Sequence, residues 1–427
     1  MNKICMLFTG FVFFACCNEA EEVINHNIIR NEDDVVIDMK QYQWKIDVSD
    51  DDYLWGNLIP HRYKNTVILP GSKNESSHYI LGVDIFTGEV QYKWLKTNRA
   101  HTLSFRDDGG LNQKDNLLLL QDRHTTMLFD LANGTEKWIK SRDMSQAFQS
   151  EIHGDEFYFS AEEKNNEDVS EPYIYKGQLG SGDSELITSP PIDKIQLFSN
   201  FYGSISPISI FSRDGDLFSL FGFMENLDVY NNNSSLGYVA LYNLSKGEYV
   251  YDKKQVGDTL FLGLTEKPAI FDDVAVVNAS DELFGIDLKT GETIWHRNEF
   301  RKGGEGTFVF QEYDGQFLGI NVGGSVDRIV AINPETGKNN WEILGAGGDA
   351  ETFQILDDKL FFVSRGTGRL YVYDLKSQKL LVEYESEDID FFTAWGGMKP
   401  FIVDDRLLIV ICTYLNAYCY DLSFLMN

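Results

Sequence analysis

A short pattern recurs along most of the chain. Apolar residues alternate up to an Asp or Asn, a polar turn ending in Gly follows, and an aromatic residue comes next. The copies start at Asp84, Asp130, Asn243, Asp287, Asn333, Asp374 and Asp421. Neighbouring copies are mostly about 45 residues apart, which is the length of a propeller blade. A unit of this size cannot bury its apolar surface alone, so the chain must fold as an array of packed copies.

A second turn signal precedes each copy. Asp272-Asp273, Asp314-Gly315, Asp357-Asp358 and Asp404-Asp405 each come just before an apolar strand. Asp and Gly tolerate left-handed backbone angles and are typical of tight hairpins. Each unit therefore contains four antiparallel strands. With a weaker copy around Tyr173, the sequence predicts an all-β, eight-bladed β-propeller.

The N-terminal strand is predicted to close the ring. The last copy begins at Asp421 and lacks a fourth strand after it, whereas Trp44 lies in an extended segment before the first full unit. Trp44 would then take the aromatic position of the last blade. Closure of this kind covers two sheet edges.

The Asp-x-x-Thr-Gly-x-x-x-Trp signature resembles the pyrroloquinoline-quinone repeat, and the resemblance runs from Trp44 to Asp421. We expect Asp or Asn to accept hydrogen bonds from turn amides, Gly to supply the unusual backbone angle and Trp to pack between blades. The residues given these structural roles are Asp84, Gly88, Asp130, Gly134, Trp138, Asp287, Gly291, Trp295, Asn333, Gly337, Trp341, Asp374 and Asp421.

The first residues have the features of an export signal. Lys3 precedes an apolar stretch from Ile4 to Ala15, which is too short to span a bilayer. Ala15 before Cys16 resembles a bacterial lipobox, although Phe13 and Phe14 depart from its usual residues. We predict a signal peptide over 1–15, a lipid-anchored flexible tether over 16–40 with lipid on Cys16, and one propeller domain over 41–427. The alternative is an ordinary secretory signal.

Charge and motifs narrow the function. The formal net charge is -29, so nucleic acid is not an expected partner. The resemblance to quinone-dependent dehydrogenases would imply a vicinal disulfide over the cofactor, but the adjacent cysteines, Cys16 and Cys17, lie in the export segment. The histidines show no zinc-ligand spacing. We expect no catalytic residues, metal or cofactor, and therefore no enzyme.

Two cysteines fall within the predicted propeller. Cys412 and Cys419 flank a short turn around Leu415. A two-residue turn would place them directly opposite each other on neighbouring strands. A disulfide and two buried free thiols both remain open.

The candidate binding face is formed by connections between blades. Trp55 and Trp395 lie in similar Trp-Gly segments before the first and the last blade, which ring closure makes neighbours. Asp349 and Glu351 add charge to the same predicted face. The two tryptophans would anchor a peptide or sugar ring; the alternative is that each caps its own blade.

These features predict a non-catalytic protein-binding scaffold, anchored by lipid in the bacterial envelope at the outer membrane. It is similar in architecture to the propeller lipoprotein of the β-barrel assembly machinery. One alternative is a surface lipoprotein that binds carbohydrate or peptide, so the expected partner is an envelope protein or a glycan. Another alternative is a diverged quinone-dependent dehydrogenase. The sequence leaves the oligomeric state open.

Overall fold

The computed structural model describes residues 42–47, 52–54, 59–73, 77–96, 113–121, 125–141, 146–147, 150–164, 170–192, 203–226, 235–256, 267–279, 282–298, 307–322, 328–344, 353–364, 369–385, 397–413 and 415–426. These residues form eight antiparallel sheets, which are the blades of a β-propeller. The predicted fold and blade count are confirmed.

Strands are numbered in chain order. β1 (Trp44–Asp47) belongs to the last blade. The strands of blades 1 to 4 have these bounds: β2 Asp52–Leu54, β3 His61–Tyr63, β4 Thr66–Lys73, β5 Ser77–Asp84 and β6 Val90–Lys96; β7 Gln113–Lys114, β8 Leu117–Gln121, β9 Thr125–Asp130 and β10 Thr135–Ser141; β11 Gln146–Ala147, β12 Glu151–His153, β13 Glu156–Lys164, β14 Ser170–Gln178 and β15 Ser184–Thr188; β16 Gly203–Ile205, β17 Ser209–Arg213, β18 Asp216–Asn226, β19 Ser235–Asn243 and β20 Glu248–Val256.

The strands of blades 5 to 8 have these bounds: β21 Ala269–Phe271, β22 Val274–Ala279, β23 Glu282–Asp287 and β24 Thr293–Arg297; β25 Thr307–Tyr313, β26 Gln316–Val322, β27 Arg328–Ile332 and β28 Asn339–Leu344; β29 Phe353–Leu356, β30 Lys359–Val363, β31 Arg369–Asp374 and β32 Lys379–Glu385; β33 Met398–Val403, β34 Arg406–Cys412 and β35 Asn416–Asp421. A single turn of 3-10 helix, Ser423–Met426, follows. In blades 1, 3 and 4 the first strand is split into two segments that both pair with the second strand.

The N-terminal strand closes the ring as predicted. β1 pairs antiparallel with β35, with Trp44 opposite Cys419 and Asp47 opposite Asn416. The last blade therefore takes three strands from the C-terminal end of the fold and its outer strand from the N-terminal end.

The apolar core lies between neighbouring blades. One cluster joins blades 6, 7 and 8 through residues such as Leu318, Phe361 and Tyr418. Another joins blade 8 to blade 1 through Trp44 and Val67. Strands one to three are mostly buried, while several outer strands show single exposed apolar residues such as Val250 and Ile294. The blades are therefore held by burial between sheets, which ties each blade to both neighbours.

A bulge recurs where the third strand pairs with the fourth. In blade 5 the register moves from Ile286–Thr293 to Gly285–Trp295, so that Ile294 has no opposite residue. The same shift occurs in all seven blades whose third and fourth strands are joined by a turn. A bulge re-aims the next side chain. Here that side chain is the repeat's aromatic residue, or Thr188 in blade 3 and Val382 in blade 7.

The hairpin turns between first and second strands carry the predicted aspartates. Asp272, Asp314, Asp357 and Asp404 have φ angles of 43°, 47°, 50° and 47°. A side chain at positive φ is uncommon, and Asp is among the residues that tolerate it best. Part of the chain's acidity is therefore a consequence of its turn geometry.

The third blade has a turn of the same shape that lacks the repeat's Asp or Asn. Gln178 stands where the other copies have Asp or Asn, and the Gly182 amide donates to its carbonyl oxygen at 2.7 Å. Gly182 has a φ of 73°, like the other turn glycines. A search for any residue followed four positions later by Gly would have found this copy.

Cys412 and Cys419 are two free, buried thiols. Cys412 is opposite Ala417, and Cys419 is opposite Val410, so the expectation that the cysteines face each other directly is wrong. The Thr413 amide and hydroxyl donate to the Asn416 carbonyl oxygen at 2.8 and 3.1 Å, which pairs these two residues and centres the turn one position earlier than predicted. The register is thereby offset.

Candidate functional site

At several blade junctions the repeat's aromatic residue connects one blade to the next. Trp295 on the outer strand of blade 5 donates its indole N–H to the Pro334 carbonyl oxygen of blade 6 at 2.6 Å. Its ring covers Gly337, where an added Cβ would lie 2.6 Å from the ring atoms. Pro334 follows the repeat residue Asn333. The aromatic side chain therefore recognises both the shape and the carbonyl of the neighbouring turn.

Three further blade junctions use the same pair of contacts. Trp44 donates to the Ile85 carbonyl oxygen at 2.7 Å and covers Gly88. Tyr92 donates to the Leu131 carbonyl oxygen at 2.9 Å and covers Gly134. Trp138 donates to the Leu179 carbonyl oxygen at 2.8 Å and covers Gly182. Blade 4 makes only one of the two contacts, the packing of the ring over glycine. Tyr251 covers Gly291, but its buried hydroxyl has no hydrogen-bond partner among the described residues.

The repeat's carboxylates and amides serve their own turns. Asp287 Oδ1 accepts the amides of Lys289 and Thr290 at 2.9 and 2.8 Å. These contacts, led by the Thr290 amide, hold the pKa of Asp287 below its usual range. Equivalent turn contacts occur at Asp84, Asp130, Asn333, Asp374 and Asp421.

Blade 7 is the degraded copy. Gln378 occupies the place of the turn glycine and has a φ of 57°. Trp341 of blade 6 packs against the core cluster that contains Leu375 of this turn. The repeat residues in both blades thus take part in packing between sheets.

The central channel contains a charged pair that crosses a blade. Lys267 Nζ lies 3.0 Å from Glu151 Oε1. Glu151 is on the first strand of blade 3, whereas Lys267 directly precedes the first strand of blade 5. First strands of neighbouring blades contact one another and line the channel. The pair therefore passes the inner edge of blade 4, where the Ile210 amide donates to Glu151 Oε2 at 2.8 Å.

Burial changes the acidity of this pair's carboxylate. Glu151 is 9% exposed, and its removal from water raises the pKa, more than Lys267 and the Ile210 amide lower it. Glu312 of blade 6 also interacts with Lys267, and burial raises its pKa too. The Glu312 side chain is nevertheless exposed. Sequence spacing gave no signal for this cluster, because its members come from three separate blades.

Carboxylates also lie on the hairpin turns between first and second strands. Some are paired, as in Lys114 with Asp155 at 2.8 Å and Lys289 with Asp273 at 2.8 Å. Exposed aspartates also occur on the hairpin turns of blades 2, 6 and 8, at Asp115, Asp314 and Asp405. Within the described ranges, no three His, Cys, Asp or Glu side chains come together in a way that would hold a metal ion.

The predicted binding face lies outside the described residues. This holds for Trp55, Trp395, Asp349 and Glu351, and also for the predicted lipidation site Cys16. The structure accordingly places none of them. Among the residues that it does describe, no helix is both long and apolar enough to cross a bilayer.

Comparison with known proteins gives one family match and several similar folds. The sequence profile of the family described as outer membrane protein assembly factor BamB matches residues 228–379, which is less than half of the chain. No curated protein matches the sequence. The crystal structure of BamB from Moraxella catarrhalis superposes with a TM-score of 0.53 at 14% identity, covering 89% of this chain and 99% of that one.

Other propellers match equally well. A europium-containing methanol dehydrogenase has a TM-score of 0.55 at 11% identity, with 89% of this chain and 87% of that chain covered. The Dos1 propeller has a TM-score of 0.56 at 12% identity, with 90% and 95% covered. Together with the repeat, these matches show a pyrroloquinoline-quinone-like β-propeller similar to BamB. At such identities the structural likeness concerns the fold alone.

Proposed function

We propose that this protein is a non-catalytic scaffold of the bacterial envelope, held at the outer membrane by lipid on Cys16 and binding another envelope protein. The observation that carries the proposal is the match of the BamB family profile over 228–379, combined with a complete eight-bladed ring. BamB is by its description an outer membrane protein assembly factor.

The use of the repeat's polar residues supports the non-catalytic part of the proposal. Asp84, Asp287 and Asn333 each accept, through Oδ1, hydrogen bonds from amides two and three residues further along their own turns. Such groups stabilise a turn and are not free to act on a substrate. The rigid body that results is suited to presenting the connections between blades to a partner.

We further propose that Trp55 and Trp395 contribute to partner binding, since aromatic side chains often dominate binding energy at protein interfaces. The test is a pull-down of the full-length anchored protein from its native envelope, with mass spectrometry of co-purifying proteins. Trp55→Ala and Trp395→Ala are expected to reduce the amount of partner recovered. Phe424→Ala, which alters an exposed aromatic residue on the 3-10 helix, is the matched control.

The channel cluster favours a second candidate, a diverged channel site that binds a small molecule. Glu151, Lys267 and Glu312 bring charged groups from blades 3, 5 and 6 together, and a few convergent polar groups are typical of small-molecule sites. Quinone and metal analysis of the same purified sample separates the candidates. A stoichiometric protein partner without quinone or metal supports the scaffold; a bound quinone or metal without a partner contradicts it.

A further inference from the structure

The N-terminal segment enters the propeller at one defined face. β1 runs antiparallel to β35, and the Gln43 amide donates to the Cys419 carbonyl oxygen at 2.7 Å. The Gln43 side chain reaches Asp421, with 3.3 Å between Nε2 and Oδ2. Asp421 ends the third strand of blade 8. We call the side of the molecule that holds Asp421 and the hairpin Asp404–Asp405 the turn face; the opposite side holds Leu415.

The entry point is fixed by packing on both sides of the strand. Trp44 is 5% exposed and donates to Ile85 of blade 1. The ring of Tyr42 meets the ring of Tyr418 edge-on, with centroids 5.9 Å apart. The described chain therefore enters the propeller at the turn face.

We infer that the turn face is the side of the protein nearer the membrane, an inference that rests on the proposed lipid anchor at Cys16. The 25 residues from Cys17 to Gln41 connect the anchor to Tyr42. A flexible tether of this length has a root-mean-square span of about 25–30 Å. The six residues of β35 add about 20 Å between the entry point and Leu415. The tether restrains the entry point at Tyr42 directly, whereas it restrains Leu415 only through the rigid blade between them.

Charge keeps the turn face from lying flat on lipid. Its hairpins carry exposed aspartates such as Asp272, Asp314 and Asp404, and anionic headgroups repel carboxylates within a Debye length. The propeller is thus expected to stand away from the bilayer on its tether. A partner that approaches from the aqueous side then meets the face opposite the tether first.

The test compares two fluorophore positions on one blade. Phe424→Cys labels the turn face and Leu415→Cys labels the opposite face; both side chains are exposed. Each is made in the full-length lipidated protein with Cys17→Ser, because Cys17 is the one other thiol expected to react. Cys412 and Cys419 are buried, and burial raises the pKa of each to about 12, so they stay unlabelled.

Energy transfer is measured to acceptor-labelled headgroups in phosphatidylcholine vesicles. We expect transfer from position 424 to exceed that from position 415 about twofold, given their separation of about 20 Å along the strand. Equal transfer, or greater transfer from position 415, overturns the inference. If the protein fails to float with the vesicles, or floats equally well as Cys16→Ser, the anchor itself is refuted and the inference falls with it.

Discussion

Lys267 and Glu151 form an ion pair with 3.0 Å between Nζ and Oε1, although a whole blade separates the strands from which they come. The two residues are 116 positions apart in the chain. Their contact joins blades 3 and 5 at the channel, and the Ile210 amide adds blade 4 to the same group.

Removal of the cation from this pair is expected to destabilise the ring. In Lys267→Met the buried Glu151 carboxylate loses its counter-charge, which costs about 2–4 kcal/mol of unfolding free energy. The measurement is urea denaturation of both proteins. Lys140→Met is the control, since Lys140 and Asp183 form an exposed pair whose loss costs less than about 1 kcal/mol. If the two variants lose the same stability, Glu151 does not depend on Lys267.

Glu151 also predicts how stability varies with pH. Burial raises its pKa in the folded protein above the ordinary value of 4.5, so the folded state binds more protons than the unfolded state as pH rises from that value. Stability due to this group therefore falls as pH rises through the raised pKa. Denaturation curves collected from pH 4.5 upward should show a smaller decline for Glu151→Gln than for the unaltered protein. An unchanged difference between the two proteins across this range would contradict the assignment.

The turn aspartates act in the opposite direction and in a different range. Burial raises the pKa of Asp130, but hydrogen bonds led by that from Asn133 outweigh it and hold the pKa below the ordinary value of 3.8. The pKa of Asp287 is also held below that value, mainly by the Thr290 amide. Their stabilising effect is complete above 3.8 and is lost as pH falls through the lowered pKa. Asp287→Asn keeps the amide contacts and should flatten the acid limb of the stability curve. An acid limb as steep as that of the unaltered protein would argue against this role.

Two tyrosines at equivalent places should respond differently to loss of their hydroxyls. Tyr92→Phe leaves the Leu131 carbonyl without its 2.9 Å partner and should cost about 1 kcal/mol. Tyr251→Phe removes a buried hydroxyl that has no partner within the described ranges, so stability should stay the same or rise. Urea midpoints of both variants test this. An equal loss in both would show that Tyr251 has a partner in solution.

Two glycines separate backbone strain from packing. Gly315 and Gly337 have nearly the same φ, 68° and 67°. An added Cβ meets nothing within 4 Å at Gly315 but lies 2.6 Å from Trp295 at Gly337. Gly315→Ala should cost about 1 kcal/mol for the left-handed backbone. Gly337→Ala should lower the free energy of unfolding by about 2 kcal/mol more than Gly315→Ala, because the indole must move. Similar melting temperatures for the two variants would show that Trp295 does not pack tightly over Gly337.

The reactivity of Cys419 measures whether the junction between blade 8 and blade 1 stays closed. Cys419 donates its thiol to the Ile85 carbonyl at 3.6 Å, the same oxygen that accepts the Trp44 indole N–H. Trp44→Ala should expose Cys419 and speed its alkylation, measured residue by residue with mass spectrometry. Trp295→Ala removes the equivalent contact between blades 5 and 6 and should leave Cys419 better protected. Equal labelling rates would mean that the seam opens only when the whole protein unfolds.

The sequence determined the blades and their turns. An Asp or Asn, a glycine four residues later and an aromatic residue act over less than a dozen positions, so a local pattern carries them. The period of about 45 residues then implies a propeller. Trp44 could be assigned to the last blade because Asp421 lacked a following strand. Gln178 was missed, because its turn bonds through the backbone and needs no particular side chain there.

Only the tertiary structure decided which distant residues meet. Four of the aromatic residues donate to a carbonyl oxygen of the next blade, which belongs to Ile85, Leu131, Leu179 or Pro334. The offset of Cys412 from Cys419 follows from the register of a turn, and the Lys267–Glu151 pair follows from the approach of first strands from neighbouring blades. Such contacts depend on how sheets pack and twist around the axis, and no periodicity in the chain encodes that arrangement.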